Sequence, residues 1–305
     1  MEGSITRNLF RTAYDTDDDD DDEEEYKEEK EVLNEVDRIK EKEENSTNMY
    51  VTHLVRNILI DEQSIGGSIA QRLWPSADYL AQFIEQNSFQ LEKHFQTSSN
   101  SPFFINTTST TTTTTTTTSI TETKNTYPLR IIELGAGVGL TGLLLASSFP
   151  CQVLLTDLDE AMPLLQRNII QNRSKFLAGE SSVQAQVLRW GNEEDAKSAL
   201  EWMNHEPTLV IASDCVYFPN LHEPLEQTFV HLLSDHPQSI GWIAGMRRWK
   251  SDNQFYKTIG RKTRTPTHQL QCTCLGETVV KRTDDAQRQI TRVYSITWTE
   301  RISRK

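Results

Sequence analysis

The chain has 305 residues, 36% hydrophobic and 25% charged, with a formal net charge of −13. Residues 1–47 carry nineteen acidic against seven basic side chains, a net of −12, so the remainder is close to neutral and offers no basic footprint for nucleic acid. No apolar run reaches the length of a membrane span, and the acidic N-terminus matches neither a secretion signal nor a transit peptide, so the cytoplasm is the expected compartment, with the nucleus as the second.

In chain order, the acidic head (1–47), with its Asp17–Glu25 run, is expected to be disordered. It reads either as a docking segment for a basic or chaperone partner or as a solubilising tail. Within it Tyr26–Glu44 has the mixed charge of an exposed helix. Leu54, Arg56, Ile58 and Ile60 fall in a strand or hairpin arm, and Gly66–Gly67 marks a turn. Leu73–Trp74–Pro75–Ser76 then leads into a helix from about Ala77 to Phe95, with Leu80, Phe83, Ile84 and Leu91 at near-helical spacing. Poly-threonine has no apolar period, so residues 97–125, around Thr107–Thr118, read as a flexible insertion. Head and insertion removed, roughly 230 residues remain in 48–305, enough for one large α/β domain.

The most informative stretch is Leu129–Asp157. An apolar strand, Arg130–Leu134, contains Glu133 near its end and breaks into Gly135, Gly137 and Gly139; a helix (Leu140–Ser148) and a second strand (Gln152–Thr156) follow, closed by Asp157. Alternating glycines let the chain turn sharply and let a ligand approach the backbone, and a carboxylate about twenty residues on can accept hydrogen bonds from ribose hydroxyls. Gly137, Gly139 and Gly142 also satisfy the dinucleotide pattern G-x-G-x-x-G. Two features favour S-adenosylmethionine: the series starts at Gly135, directly after the strand, and Glu133 can face an ammonium but would repel a pyrophosphate.

Further elements alternate: helix Ala161–Gln171, strand Val183–Leu188, helix Glu194–Asn204, strand Thr208–Ala212, helix Leu221–Leu233, strand Ser239–Ala244, helix Gln254–Ile259, and two late strands near Leu270–Leu275 and Thr291–Thr299. This order predicts a doubly wound, Rossmann-like, seven-stranded and mostly parallel sheet, with helices on both faces and an antiparallel C-terminal strand. Cys151 and Cys215 lie in or beside buried strands, and Cys272 and Cys274 share a face of a late strand. No Cys/His cluster has zinc spacing, so no metal is expected and the thiols read as reduced.

Ligands in open α/β sheets sit outside the carboxyl ends of the strands. Those ends carry Glu133 and the glycines, then Asp157 and Asp159, then Trp190–Gly191, then Ser213, Asp214, Cys215, Val216 and Tyr217. Asp159 is expected to cap the following helix. Trp190 offers a flat face to a purine or belongs to the core, and Trp74 borders the pocket or anchors the N-terminal segment. Asp214 can orient an incoming amine, beside the aromatic face of Tyr217.

Together these residues resemble the seven-strand protein-lysine methyltransferases of methyltransferase family 16. The resemblance runs through Trp74–Ala77, Glu133–Gly142, Thr156–Leu158, Arg167–Ile169, Leu188–Gly191, Asp214–Tyr217 and Pro224–Leu225. It implies methyl transfer from S-adenosylmethionine to the ε-amine of a lysine in a folded protein. The implied cofactor-binding set is Trp74, Glu133, Gly135, Ala136, Gly137, Gly139, Asp157, Leu158, Trp190 and Ser213, with Asp214 and Tyr217 catalytic. The head and the threonine-rich insertion depart from the family pattern. Three other readings stand beside it. One is a methyltransferase for a nucleic acid or small-molecule amine, against which Cys215–Val216 replaces the Pro-Pro of base-amine enzymes. Another is a non-catalytic scaffold, and the last a nicotinamide dehydrogenase.

Overall fold

The computed structural model describes residues 50–63, 69–95, 129–246, 250–281 and 288–301; the acidic head, Gly66–Gly67 and the threonine-rich segment lie outside the described residues. The chain opens with an antiparallel hairpin, β1 (Tyr50–Val55) and β2 (Ile58–Gln63), turned by Arg56 at φ +57°. A 3-10 turn (Ile69–Gln71) leads to α1 (Pro75–Gln86) and α2 (Ser88–Phe95). The apolar spacing predicts one helix here, but Asn87 divides it. Its Nδ2 donates to the Phe83 carbonyl at 2.8 Å, and this local bond competes with helical continuation.

The central sequence alternates as expected: β3 (Leu129–Leu134), α3 (Leu140–Ser148), β4 (Cys151–Asp157), α4 (Met162–Asn172), β5 (Val183–Val187), α5 (Glu193–Met203), β6 (Thr208–Ser213), α6 (Pro219–Ser234), β7 (Ile240–Met246), α7 (Lys250–Thr258), β8 (His268–Lys281) and β9 (Arg288–Glu300). The large sheet has the order β5-β4-β3-β6-β7-β9-β8. Strands β3 to β7 are mutually parallel, and β9 runs antiparallel to both of its neighbours. The late strands extend further than their apolar residues indicate. Their polar Thr and Gln positions sustain a ladder from His268↔Glu300 to Lys281↔Arg288, past Met246 at the end of β7.

The inner strands read as continuous apolar runs because both faces are covered. On one face Ile131, Val153, Leu155 and Ile211 pack with α1, α3, α4 and Ile58 and Ile60 of β2. On the other, Ile132, Leu134, Val210 and Ala212 pack with α5, α6 and Phe255 of α7. The sheet order reverses between β3 and β6, so a crevice opens at their carboxyl ends. Among the described residues no helix is long and apolar enough to cross a membrane.

Candidate active site

Between β3 and α3 the loop Gly135–Gly139 passes through three left-handed glycines, at φ +59°, +56° and +83°. Gly137 is constrained twice: a Cβ there would lie 2.7 Å from the Ala70 carbonyl oxygen, so the 3-10 turn ahead of Trp74 covers the loop. Three of the loop's N–H groups, those of Ala136, Gly137 and Gly139, are occupied from within the protein. Ala136 donates to the Thr156 carbonyl at 2.9 Å and Gly139 to the Ala136 carbonyl at 2.7 Å. Gly137 donates to Asp157 Oδ2 at 2.7 Å, and Gly142, in the first turn of α3, donates to Glu133 Oε2 at 2.8 Å.

Glu133 therefore lies beneath the loop. Helix α3 has a glycine at its N-cap and no side-chain cap there, and the Glu133 carboxylate supplies the missing acceptor. Oε1 is buried without a well-formed partner among the described residues. Burial pushes the Glu133 pKa up to about 7, opposed by the nearby Thr141 hydroxyl and the Gly142 N–H. An ordinary glutamate titrates near 4.5, so the folded chain holds this proton more tightly than the unfolded chain. The group's contribution to stability is full below about pH 4.5 and is lost as pH rises through about 7. Glu133→Gln keeps an acceptor for Gly142 and removes the titration. In urea unfolding without ligand, the stability of the parent relative to this variant is expected to fall by on the order of 1–3 kcal/mol from pH 5 to pH 8. A pH-independent difference would refute this.

At the tip of β4, Asp157 is 7% exposed. Its Oδ1 takes the Leu158 N–H at 2.7 Å and its Oδ2 the Gly137 N–H, leaving a lone pair on each oxygen. Burial raises its pKa although both N–H groups oppose the shift. The Leu158 side chain beside it is 43% exposed, an apolar surface at the crevice. The expectation for Asp159 is corrected: α4 begins at Met162 with Ala161 at its N-cap and no side-chain cap, because Asp159–Ala161 forms a 3-10 turn that carries the chain into the helix.

Trp190 is half-buried and packs against the second core while reaching the loop: a Cβ on Gly135 would meet its ring at 2.9 Å and Cys215 Sγ at 2.8 Å. Gly191, at φ +75°, donates to Thr228 Oγ1 at 2.9 Å and faces Pro224 of α6, so the W-G and P-L segments pack together. Trp74 stands at the N-cap of α1, half-buried, four residues after Ala70.

Ser213 ends β6, half-buried, and Asp214 follows with φ +54° and 6% exposure. The Asp214 N–H donates to the Ala244 carbonyl at 2.8 Å, and its Oδ1 accepts from the Met246 N–H at 3.2 Å, so the tip of β7 fixes this carboxylate. A non-glycine residue with positive φ at a strand tip is a backbone strain typical of functional sites. Cys215 is buried below Gly135, with Sγ 3.3 Å from the Leu134 carbonyl, and burial pushes its thiol pKa well up. Tyr217 is half-buried, its ring 4.7 Å from that of Phe218. The glycine loop, Asp157, Trp190 and Asp214 thus gather at the tips of four neighbouring strands and their loops, as topology predicts.

Sequence reasoning did not anticipate the cover from Ala70, the Cys215 thiol under Gly135, or the work of the R-N-I segment. Asn168 and Asn172 of α4 bond to the backbone of β2, and Arg167 pairs with the buried Asp61. Their four-residue spacing was the available signal. Among the described residues no group of three or more His, Cys, Asp or Glu side chains could hold a metal ion.

An α/β fold with a glycine-loop crevice at its topological switch point defines a nucleoside-binding class of protein. Within it, the chain belongs to the lysine methyltransferase family, whose profile matches residues 54–262. It is 35% identical over 129 residues to protein N-lysine methyltransferase METTL21A of Xenopus tropicalis, covering 42% of this chain and 54% of that one. Over 132 residues it is 31% identical to calmodulin-lysine N-methyltransferase of Arabidopsis thaliana, covering 43% of this chain and 41% of that one. Over 143 residues it is 32% identical to protein-lysine N-methyltransferase EFM6 of Saccharomyces cerevisiae, with coverage of 43% and 55%. The matches span about half the length of these relatives.

Proposed function

We propose that the protein transfers a methyl group from S-adenosylmethionine to the ε-amine of a lysine in a folded protein. The observation that carries the choice of cofactor is the pairing of three loop N–H groups and of the Gly142 N–H at the start of α3. Gly137 and Gly142 already donate to carboxylates, and Ala136 and Gly139 to carbonyls. A pyrophosphate needs such N–H groups and would meet the Asp157 carboxylate instead. A cationic nucleoside without phosphate fits that acid.

In this reading the free lone pairs of Asp157 accept from the ribose hydroxyls, while Leu158 and Trp190 supply apolar surface for the base. Gly135, Ala136, Gly137 and Gly139 form the backbone cradle, with Ser213 and Trp74 at its borders. Glu133 acts from below, by fixing the start of α3. When bound, S-adenosylmethionine supplies an electrophilic methyl carbon on a positively charged sulfur. Asp214, held by the Met246 N–H, orients the incoming amine so that its lone pair lies in line with that carbon, and Tyr217 lines its approach. The amine must arrive as the free base, and leaving water lowers its proton affinity.

Residues 1–47 are read as an appendage to the 48–305 domain, either a solubilising tail or a docking segment for a basic or chaperone partner, and 97–125 as an insertion within it. Four free cysteines support the cytoplasm or nucleus as the compartment. The test has two arms. Calorimetry on the full chain is expected to show binding of S-adenosylmethionine and none of NAD or NADP. With labelled cofactor and a cell lysate, label is expected on lysine of one or a few proteins. Binding of NAD alone would overturn the cofactor assignment, label on nucleic acid or on small amines the substrate class, and cofactor binding without transfer would leave a scaffold.

A further inference from the structure

Asn168 and Asn172 stand one turn apart on the same face of α4, and both are fully buried. Asn172 accepts from the Leu59 N–H at 2.9 Å and donates to the Leu59 carbonyl at 2.7 Å, which docks the hairpin on the helix. Asn168 repeats this pattern two residues along β2: its Oδ1 accepts from the Asp61 N–H at 2.9 Å and its Nδ2 donates to the Asp61 carbonyl at 3.0 Å. It makes two further bonds. Nδ2 donates to the Val138 carbonyl at 2.9 Å, and Oδ1 accepts from Gln171 Nε2 at 2.9 Å. All four hydrogen-bonding positions of the amide are thus occupied. The orientation is unambiguous, since the Asp61 N–H requires an acceptor and the Val138 carbonyl a donor.

Val138 lies between Gly137 and Gly139, both left-handed, in a stretch whose backbone is intrinsically free. Two side chains grip successive residues of that loop: Asp157 holds the Gly137 N–H, and Asn168 holds the Val138 carbonyl. We infer that Asn168 is a positioning residue for the cofactor loop, coupling the N-terminal hairpin to the geometry of the binding cradle. The inference rests on the reading that the loop holds S-adenosylmethionine. Asn172 makes the comparison internal, because its described bonds reach the hairpin, its own helix and Lys175 but not the loop.

The experiment compares Asn168→Ala, Asn168→Asp and Asn172→Ala in the full chain, measuring the dissociation constant of S-adenosylmethionine by calorimetry together with Tm. Asn168→Asp retains an acceptor for the Asp61 N–H and loses the donor to both the Val138 and the Asp61 carbonyls, the latter a hairpin contact of the kind that Asn172→Ala also removes, so it remains informative if the alanine variant does not fold. Both Asn168 variants are expected to weaken binding about tenfold or more, whereas Asn172→Ala stays within about threefold despite a comparable loss of Tm. At saturating cofactor, kcat in Asn168→Asp is expected within about threefold of the parent, with the KM for cofactor raised. Equal weakening by Asn168 and Asn172 variants overturns the inference, as does failure of both Asn168 variants to fold while Asn172→Ala folds. An unsubstituted chain that does not bind the compound overturns the functional reading itself, a distinct outcome.

Discussion

Asp214→Asn is expected to lower the rate of lysine methylation by roughly 100- to 10,000-fold while changing cofactor affinity by less than about tenfold. Asparagine is the informative replacement because Asp214 adopts φ +54°, a conformation that Asn tolerates and that penalises other non-glycine residues. Its carbonyl oxygen can still accept from the Met246 N–H, so the tip of β7 stays in place and only the negative charge is removed. Alanine at the same position would add backbone strain of about 1 kcal/mol and confound chemistry with folding. The size of the effect follows from the role. A carboxylate held rigidly by β7 aligns an amine that must approach along one line, and loss of alignment falls on the chemical step rather than on the cofactor. Single-turnover transfer with the cofactor saturating measures the first quantity and calorimetry the second. Intact turnover with lost binding would move Asp214 to the cofactor side of the site.

Gly137→Ala should weaken cofactor binding by roughly 100-fold. Two costs combine. The backbone is left-handed at φ +56°, and the new methyl group would stand 2.7 Å from a carbonyl oxygen, that of Ala70, which cannot rotate away as a side-chain tip can. Relief requires the loop to leave the Ile69–Gln71 turn, and with it goes the Gly137 N–H bond that orients Asp157. A melting curve run beside the titration separates the two consequences. Affinity close to that of the parent would show that the 3-10 turn moves aside freely and that the loop is not held as described.

Much of the architecture was legible along the chain. Leu129–Asp157 announced a strand, a glycine loop, a helix and a second strand, because continuous apolar runs bounded by glycine and acid have few other physical solutions. The seven strands and their helices followed from alternation, and the β5-β4-β3-β6-β7-β9-β8 order then brought Gly135, Asp157, Trp190 and Asp214 together. Less legible were local competitions. Asn87 splits a helix that apolar spacing reads as one, and Asp159 enters a 3-10 turn instead of capping. In both cases a backbone geometry of one or two residues decides, and periodicity averages over more residues than that.

The chain by itself determined which residue types stand at each strand tip, and through the alternation of apolar strands with helices that those tips share one edge of one sheet. Only the tertiary structure decided what each polar group does there. Glu133 serves the N-terminus of α3, the Gly137 N–H of the loop closes on Asp157, and Asn168 binds β2 and Val138 at once. Apolar periodicity is written locally and survives as pattern. A hydrogen-bond partner 20 or 107 residues distant is set by packing; the four-residue spacing of Asn168 and Asn172 marks one face of α4 but not what that face bonds.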